Sequence, residues 1–453
     1  MSSRSGLQVD DFVRQVTTAL HPSRHFTSNV TCDREHVAFR GQRLEISDAR
    51  GITILGLGKA SVEQTAALYD LLRQQLGSAI AIPRPLAVTK SGLHAQAEEI
   101  EIVTGSHPLC DRSSLDAGQR LRAAFAAIPR DHVAILCLSG GGSALAVEPI
   151  AEVALEEKIA INAELLRIGA PIEPTNRIRQ ELSRLKNGGL LPAFGGLRLS
   201  TWATVDIPSQ DPRFVASAPT HHVPRDPSQC LDDATRWLPA EHAILIERVC
   251  TNPQRAERQR ALAEASRRIS SSLVSCGDWT SLANLTRALL MDAGMRTVHI
   301  EPVALDATID EGLDHVLERL ESLRDLPRPL ALVSGGELGV RVGGAGRGGR
   351  NSAFVVAMAR ALFFERRTSL PSDQLDSALI LSLATDGSDG NTEHAGGWLD
   401  RSHLSDSGIT RRELDDAIAN SDTHSFLARR GTSIRTGATG TNLMDLRIVA
   451  LGE

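Results

Sequence analysis

The chain has 453 residues, of which 42% are hydrophobic and 23% are charged, and its formal net charge is −6. Single hydrophobic cores stop growing near about 250–300 residues, so we expect two domains in a soluble globular protein. The net negative charge and the lack of a basic cluster argue against nucleic acid as a partner. No apolar run reaches the roughly 20 residues that a membrane helix needs.

The first twenty residues, MSSRSGLQVDDFVRQVTTAL, predict a short amphipathic helix. They lack the apolar core and the small-residue cleavage site of a signal peptide, so we expect a cytoplasmic protein. The six cysteines show no C-x-x-C spacing, which favours reduced thiols over a zinc site or a disulfide framework.

Short apolar segments that each end in glycine or a small acidic turn predict buried parallel strands, at 52–58, 132–143, 200–208, 330–337 and 378–390. Helical segments such as those at 61–76 and 353–364 lie between them. This alternation predicts an α/β fold with a Rossmann-like, doubly wound sheet. Ligands in that fold collect at the carboxyl ends of the strands, where all five turns lie.

A polar, proline-rich stretch at 218–242 interrupts the alternation, and a helical region rich in alanine, arginine and leucine follows it. We therefore predict a Rossmann-like N-terminal domain over residues 1–245 and a C-terminal α/β domain over residues 246–453.

The first strand-end turn, GLGKAS, places a lysine directly after two glycines. Lysine is rare in this arginine-rich chain and occurs only as Lys59, Lys90, Lys158 and Lys186. Arginine replaces lysine poorly where a compact ammonium with a tunable pKa is needed. The lysine of this turn, Lys59, is therefore a candidate functional residue.

Three familiar motifs are tested and rejected. A phosphate-binding P-loop would need glycine at Thr53 and a hydroxyl residue at Ala60. The dinucleotide pattern G-x-G-x-x-G breaks at Ser61, and the hydrolase pattern G-x-S-x-G would need glycine at Leu145. What remains is a set of glycine-rich turns whose backbone N–H groups suit anions such as phosphate.

One such turn is SGGGS, which comprises Ser139, Gly140, Gly141, Gly142 and Ser143. Another is the segment GGAGRGGRN at 343–351, in which Arg347 and Arg350 offer bidentate forks to a phosphate or a carboxylate. The alternative for the second segment is a surface hairpin whose arginines are solvated.

Carboxylates also follow strand ends. Asp386 and Asp389 in ATDGSDG could hold Mg²⁺ on nucleotide phosphates or accept a proton from a hydroxyl, or they could be turn residues only. Asp206, at the end of another apolar segment, could likewise bind a metal or accept a proton, or be a turn residue only. His107, before Pro108, could orient a substrate or cap a turn.

These segments, in this order, resemble the glycerate 2-kinase family, whose C-terminal domain is the MOFRL domain. The matching segments are GLGKAS, VTKSGLH at 88–94, GSHPLCD at 105–111, LSGGGSAL at 138–145, INAELLRIGAPIEPTNRIRQELSRLKNGG at 161–189, VASAPT at 215–220, SGGE at 334–337, GRGGRN at 346–351, ATDGSDG and TGATGTNLMDL at 436–446. Three of the four lysines fall on family lysine positions.

The resemblance implies a kinase that uses ATP and Mg²⁺ to phosphorylate the 2-hydroxyl of D-glycerate, giving 2-phosphoglycerate. It implies catalytic roles for Lys59, Arg347, Asp206 and Asp386, and a metal site at Asp386 and Asp389. The nucleotide-binding residues it implies are Ser139, Gly140, Gly141, Gly142, Ser143, Lys186, Gly335, Gly336, Glu337, Arg350 and Asn351. The partners are then a small hydroxy acid and a nucleotide, bound by a monomer or a homodimer.

The chain departs from the family pattern at Ile168, Val205, Ser209, Ala218 and Ala438. Lost glycines remove room for backbone near a ligand, so an acceptor other than glycerate is an open alternative. Two other functions also stay open. Relatives have carried the label hydroxypyruvate reductase, which would use NAD(P)H, and a nucleotide-binding homologue without activity is the third alternative.

Overall fold

The computed structural model describes residues 7–91, 98–405 and 408–452. The strands, numbered along the chain, are β1 (Val30–Cys32), β2 (His36–Phe39), β3 (Gln42–Glu45), β4 (Gly51–Leu57), β5 (Leu86–Lys90), β6 (Glu101–Gly105), β7 (His132–Leu138), β8 (Arg198–Thr204), β9 (Ser270–Gly277), β10 (Thr297–Ile300), β11 (Leu305–Thr308), β12 (Leu330–Gly339), β13 (Leu379–Ala384), β14 (Gly396–Asp400), β15 (Ser433–Ile434) and β16 (Asp445–Leu451).

The α-helices, numbered in the same way, are α1 (Val9–Leu20), α2 (Pro22–Asn29), α3 (Ser61–Leu76), α4 (Arg112–Ala126), α5 (Gly142–Leu145), α6 (Leu155–Arg167), α7 (Ile172–Glu181), α8 (Pro227–Trp237), α9 (Ala240–Thr251), α10 (Pro253–Arg268), α11 (Trp279–Asp292), α12 (Ile309–Ser322), α13 (Arg350–Ala359), α14 (Ser372–Asp376), α15 (Arg401–Ser405), α16 (Arg411–Ala419) and α17 (Thr423–Ala428).

The chain forms two compact units. The N-terminal unit comprises His25–Thr204 and Asp211–Cys276, and the C-terminal unit comprises the chain through Arg24, Val205–Gln210 and the chain from Gly277 onward. This division differs from the expected boundary at residue 245. Helices α9 and α10 and strand β9 stay with the N-terminal unit because α9 packs on α8 and β9 extends the sheet beside β8. Helix α1 packs on α11 and so belongs to the C-terminal unit.

The N-terminal unit is built on a six-stranded sheet with the order β6-β5-β4-β7-β8-β9. The pairs β6/β5, β5/β4, β4/β7 and β7/β8 are all parallel. This order reverses direction between β4 and β7, which is the topological switch point where doubly wound sheets bind ligands. The predicted Rossmann-like fold is confirmed, and the predicted Lys59 and SGGGS turns follow the two strands that flank the switch point.

Apolar side chains on β4 and β7 explain why this sheet forms. Ile52, Ile54 and Ile135 are fully buried against Leu68 and Leu72 of α3. A second apolar cluster joins α6, α7, α8 and α9. An antiparallel sheet of β1, β2 and β3 completes this unit.

The C-terminal unit contains a mixed sheet with the order β10-β12-β16-β13-β14-β15, and β11 also pairs with β12. The expectation of a parallel strand is confirmed for 330–337, because β12 pairs in parallel with β10 and β11. It is wrong for 378–390, because β13 pairs antiparallel with both β14 and β16. Strand β16 lies between β12 and β13 and is antiparallel to both. Since both strands oppose β16, β12 and β13 nevertheless run in the same direction, and their carboxyl ends reach the same edge.

Two apolar clusters cover this sheet. One joins α1 and α11 to β12, β13 and β16, and the other joins α12 and α13 to the same three strands. The described helices include none long and apolar enough to cross a membrane. None of the six cysteines, all of which lie in described residues, is in a disulfide.

Candidate active site

The turn after β4 holds Lys59 against the SGGGS turn after β7. The Lys59 N–H donates to the Gly140 carbonyl at 2.9 Å, and the Ala60 N–H donates to Ser139 Oγ at 3.0 Å. A Cβ built at Gly58, where φ is 129°, would lie 2.3 Å from Ser139 Oγ. The two turns therefore form one unit. Ser139, which was predicted to bind nucleotide, is buried and positions the lysine turn instead.

Gly141 makes close approach possible between the lysine and a histidine. Its φ is 83°, and a Cβ there would lie 3.0 Å from Lys59 Cγ and 3.2 Å from His107 Cδ2. Burial, followed by the charges of Lys59, Lys90 and Arg179, lowers the pKa of His107 to about 4. His107 is therefore a neutral imidazole at pH 7 in a positively charged environment.

Lys186 lies behind the SGGGS turn and is almost fully buried. Its ammonium donates to the Ser143 carbonyl at 2.7 Å and to Ser143 Oγ. The Ser143 and Ser217 hydroxyls are 3.0 Å apart, and Ser217 donates to Asn176 Oδ1 at 3.0 Å. The structure therefore brings together Ser143 and Lys186, two residues predicted to bind the nucleotide, and adds Ser217 and Asn176, which sequence reasoning missed.

Two further cations near Lys186 were also missed as site residues. Lys158, on α6, is fully buried, and Arg179, on α7, is half-buried and donates to Asn162 Oδ1 at 3.1 Å. Burial, together with Lys158 and Arg179, holds the pKa of Lys186 well below its usual range. The rarity of lysine was the one sequence signal that pointed to Lys158.

The backbone that carries Ser217 is strained. Ala216, Ser217 and Ala218 adopt φ values of 50°, 62° and 61°, a region that residues other than glycine rarely occupy and that costs roughly 1–2 kcal/mol per residue. The Ser217 and Ala218 carbonyls accept from Asn187 and Gly188 at 3.0 and 2.7 Å. The predicted departure at Ala218 thus keeps a left-handed backbone without the glycine that favours it, and such strain is often found at functional sites.

In the C-terminal unit, the predicted nucleotide residues Arg350 and Glu337 pair with each other. Arg350 contacts Glu337 at 2.7 Å and Asp445 at 2.5 Å. Burial lowers the pKa of Arg350, but the negative charges of Asp445 and Glu337 have the larger effect together, so the pKa of Arg350 is raised. Asp445, the first residue of β16, is opposite both Gly336 and Ala384, so it lies at the shared strand edge.

Arg447 completes this buried ion cluster. It donates to the carbonyls of Gly335 and Gly336, the latter at 3.1 Å, and burial lowers its pKa to about 10. A Cβ at Gly335 would lie 2.2 Å from the Trp279 ring, and one at Gly336 would lie 2.2 Å from the Leu305 carbonyl oxygen. Packing within the unit therefore accounts for the glycines and the ion pairs of this predicted nucleotide turn.

Asp389 was predicted to bind a metal, and the structure gives its carboxylate another use. Its two oxygens accept from the N–H groups of Asn351 and Ser352, at 2.9 Å each, and from Ser352 Oγ at 2.7 Å. Asp389 is 2% exposed, and burial raises its pKa. Asp389 thus caps the N-terminus of α13 and does not fit a metal site, while the Asn351 side chain bonds Asp389 and Ser382 inside the core.

Asp386 and Asp206 remain the carboxylates that could face a ligand in this unit. Asp386 is half-buried, and one of its oxygens accepts from the Ser388 N–H at 3.0 Å. Asp206, also half-buried, accepts from Asn442 Nδ2 at 2.8 Å. Leu443, which follows Asn442, donates its N–H at 2.7 Å to Oγ1 of Thr385, the residue before Asp386. Residues 442–443 therefore contact Asp206 and the residue that precedes Asp386.

Arg347 presents an exposed guanidinium on a fixed backbone. Its N–H donates to Asp422 at 3.1 Å, and its carbonyl accepts from the His424 N–H at 2.9 Å. In the described part of the chain its guanidinium pairs with no carboxylate, so it is available to an anion. The glycines around it serve close packing, because a Cβ at Gly346 would lie 2.5 Å from the Asn420 carbonyl oxygen. An adjoining groove of about 570 Å³ is lined by acidic side chains and does not suit phosphate.

The fit to Mg²⁺ follows from these contacts. Within the described ranges, no three His, Cys, Asp or Glu side chains form a group that could hold a metal ion. Mg²⁺ usually binds through one or two carboxylates together with substrate phosphates and water, so Asp386 and Asp206 fit it and Asp389 does not. Of the family segment VTKSGLH, residues 92–94 lie outside the described residues.

Comparison with known proteins places the chain in a family. Residues 8–243 match a domain of unknown function, DUF4147, and residues 330–445 match the MOFRL family. Glycerate kinase from Macaca fascicularis is 30% identical over 79% of this chain and 98% of its own length. The chain belongs to the MOFRL-domain glycerate kinase family.

Other relatives agree with this assignment. D-glycerate 2-kinase from Thermotoga maritima is 26% identical over 88% of this chain and 90% of its own length. A relative from Agrobacterium vitis with the provisional name hydroxypyruvate reductase is 32% identical over 88% of this chain and 99% of its own. The crystal structure of a Thermotoga maritima glycerate kinase has the same fold, with a TM-score of 0.73 over 97% of this chain and 98% of that one, at 24% identity.

Proposed function

We propose that this protein is an ATP-dependent kinase that phosphorylates the 2-hydroxyl of D-glycerate, or of a closely related small hydroxy acid. One observation carries the proposal from the structure: Lys59 lies at the switch point of a doubly wound sheet, bonded through its backbone to the glycine turn of the next strand. A compact positive charge beside a glycine-rich turn at a strand end suits a phosphoryl group in transfer.

The predicted catalytic residues, Lys59, Arg347, Asp206 and Asp386, each have a part in the proposal. Lys59 stabilises charge that develops on the transferring phosphoryl group, and Gly141 allows the backbone of the SGGGS turn to approach Lys59 closely. Arg347 binds an anionic group of the nucleotide or the acceptor. Asp386 or Asp206 accepts the proton of the attacking hydroxyl.

Asp386 and Asp206 are also the carboxylates that would hold Mg²⁺. When bound, Mg²⁺ supplies positive charge that neutralises the nucleotide phosphates. The use of ATP and Mg²⁺, a cytoplasmic location and a monomeric or homodimeric state belong to the same proposal.

The relative named hydroxypyruvate reductase suggests a second possible function, the reduction of hydroxypyruvate. A reductase would bind NAD(P)H, and the third position of the dinucleotide fingerprint is Ser61 here. The Ser61 hydroxyl donates to the carbonyls of Gly58 and Val88 at 2.8 and 2.9 Å, so it fills the place where the fingerprint glycine allows close packing.

A coupled ADP-release assay beside an NADH absorbance trace tests the proposal, with D-glycerate and hydroxypyruvate supplied separately. We expect ADP formation that depends on glycerate, with phosphorus NMR identifying the product. NADH loss that depends on hydroxypyruvate, without ADP, would overturn the kinase proposal. Tight Mg-ATP binding without turnover of any hydroxy acid in a C3–C6 panel would favour a homologue without activity.

A further inference from the structure

The N-terminal unit buries positive charge that its own acidic residues do not balance. Lys158, Arg179 and Lys186, which we call the cationic cluster, pair with no carboxylate among the described residues. The other strongly buried ionic groups of this unit do have partners. Glu181 and Arg255 contact each other at 2.7 Å, and Glu148 pairs with Arg184 at 3.2 Å.

Hydrogen bonds compensate the cluster only in part. Of the three donors of the Lys158 ammonium, the described structure uses one, in a long bond of 3.4 Å to the Leu182 carbonyl. Lys158 is nevertheless 0% exposed. A buried charge without partners is costly, and proteins usually pair such a charge or neutralise it by a shift in pKa.

The surroundings of the cluster are suited to an oxyanion. Asn162 bridges Arg179 and the Cys110 thiol, at 3.1 and 3.5 Å, and Lys186 contacts Ser143. Arg179 and Ser143 are half-buried and so are partly accessible to solvent, whereas Lys158 and Lys186 are almost fully buried. Cations, hydroxyls and an amide together are the donor set that carboxylates and phosphates require.

We propose that the cationic cluster is an oxyanion-binding site, in which Arg179, Lys186 and Ser143 contact the ligand and the buried Lys158 strengthens their field. The ligand is a carboxylate or phosphate group of a small molecule. For the proposed kinase, on which this identification of the ligand rests, the two sources are the carboxylate of the acceptor and the phosphates of the nucleotide.

Binding of an oxyanion to the cationic cluster should be coupled to protonation of its two lysines. Burial lowers the pKa of Lys158 to about 8, with an opposing effect of Cys110 and a smaller lowering effect of Arg179. Burial, followed by the charges of Lys158 and Arg179, also lowers the pKa of Lys186 well below its usual range. The groups that act on these lysines are thus Cys110, Arg179 and the lysines themselves. An oxyanion favours the charged ammonium of both lysines, so its binding at pH 8 should be accompanied by proton uptake.

Lys158→Met tests the site, because methionine keeps the length and the apolar stem but removes the charge. Without ligand, we expect a higher melting temperature than in the wild type, whereas a lysine that merely supports the fold would give a lower one. Affinity for the oxyanion should fall roughly 10- to 30-fold, as expected for one full charge acting over about 8–12 Å at an effective dielectric constant near 20. Arg34→Met removes an exposed charge and controls for net charge.

Calorimetric titrations in two buffers of different ionisation enthalpy measure affinity and proton uptake together. The probes are D-glycerate, inorganic phosphate and a non-hydrolysable ATP analogue, each used alone. A loss confined to glycerate identifies the acceptor carboxylate as the ligand, and a loss with phosphate and the analogue identifies the nucleotide. Lys158→Gln provides a second neutral variant if the methionine variant does not fold.

Unchanged affinity and proton uptake for all three probes in a folded Lys158 variant would overturn the site. The proposed kinase function fails by a different result, namely no turnover by the wild type. In that case a Lys158-dependent affinity for phosphate or glycerate would still support the oxyanion site.

Discussion

Replacing Asp389 by alanine should destabilise the C-terminal unit by about 3–5 kcal/mol. The carboxylate accepts three short hydrogen bonds from Asn351 and Ser352, which are both 1% exposed. Each buried donor left without an acceptor costs about 1–3 kcal/mol. We take the lower part of that sum because burial raises the pKa of Asp389, so the buried carboxylate itself carries a cost that its removal recovers.

Differential scanning calorimetry is the assay, because it separates the transitions of a protein with two units. For a unit of this size, a loss of 3–5 kcal/mol lowers the melting temperature by roughly 6–20 °C. Asp386→Ala is the matched control. Its carboxylate is half-buried and accepts from the exposed Ser388 N–H of its own turn, so we expect a change below about 1 kcal/mol and a higher Mg²⁺ requirement.

The opposite pattern would refute the reasoning. If Asp389→Ala kept the wild-type melting temperature and needed more Mg²⁺ for activity, Asp389 would be a metal ligand and its role as a helix cap would be unimportant. A large destabilisation by Asp386→Ala would likewise show that the two carboxylates had been assigned the wrong way round.

Three further predictions concern the charged groups. Lys59→Ala should lower kcat by about 10²–10³, with a smaller effect on the KM for the acceptor. Lys59→Arg should restore little of the lost kcat. Full steady-state activity in a stable alanine variant would show that Lys59 is not catalytic. Arg347→Ala should raise the KM for ATP or for the acceptor more than it lowers kcat, and unchanged KM values for both would exclude an anion clamp. The folded pKa of His107, about 4, lies below its unfolded value of 6.5. The unfolded chain therefore binds more protons between these values, so the unfolding free energy falls as pH drops from 6.5 to 4, and urea unfolding of His107→Gln should show a shallower fall.

The sequence by itself determined the N-terminal fold well. Apolar runs that end in glycine predicted β4, β7 and β8, and the helical pattern predicted α3, because buried parallel strands and their crossover helices leave strong local signals. The same reasoning pointed to Lys59, since a lysine between strand-end glycines is visible in the sequence and the structure places it at the switch point.

The tertiary structure alone decided which polar residues are structural. Asp386 and Asp389 look alike in ATDGSDG, yet one lies half-buried in its own turn and the other caps α13, more than thirty residues earlier in the chain. Glu337, on β12, and Arg350, at the start of α13, were predicted to bind nucleotide, and in the structure Arg350 contacts both Glu337 and Asp445 of β16. Local sequence cannot reveal such pairs, because each partner comes from a distant segment.

The strand order and the cationic cluster show the same limit. Strand β16 lies between β12 and β13, although it follows both in the chain, and no local pattern specifies a neighbour so far away. Lys158, Arg179 and Lys186 come from three separate segments, and only folding buries their charges together. Composition and periodicity report what each segment does by itself, whereas burial and charge balance depend on which segments meet.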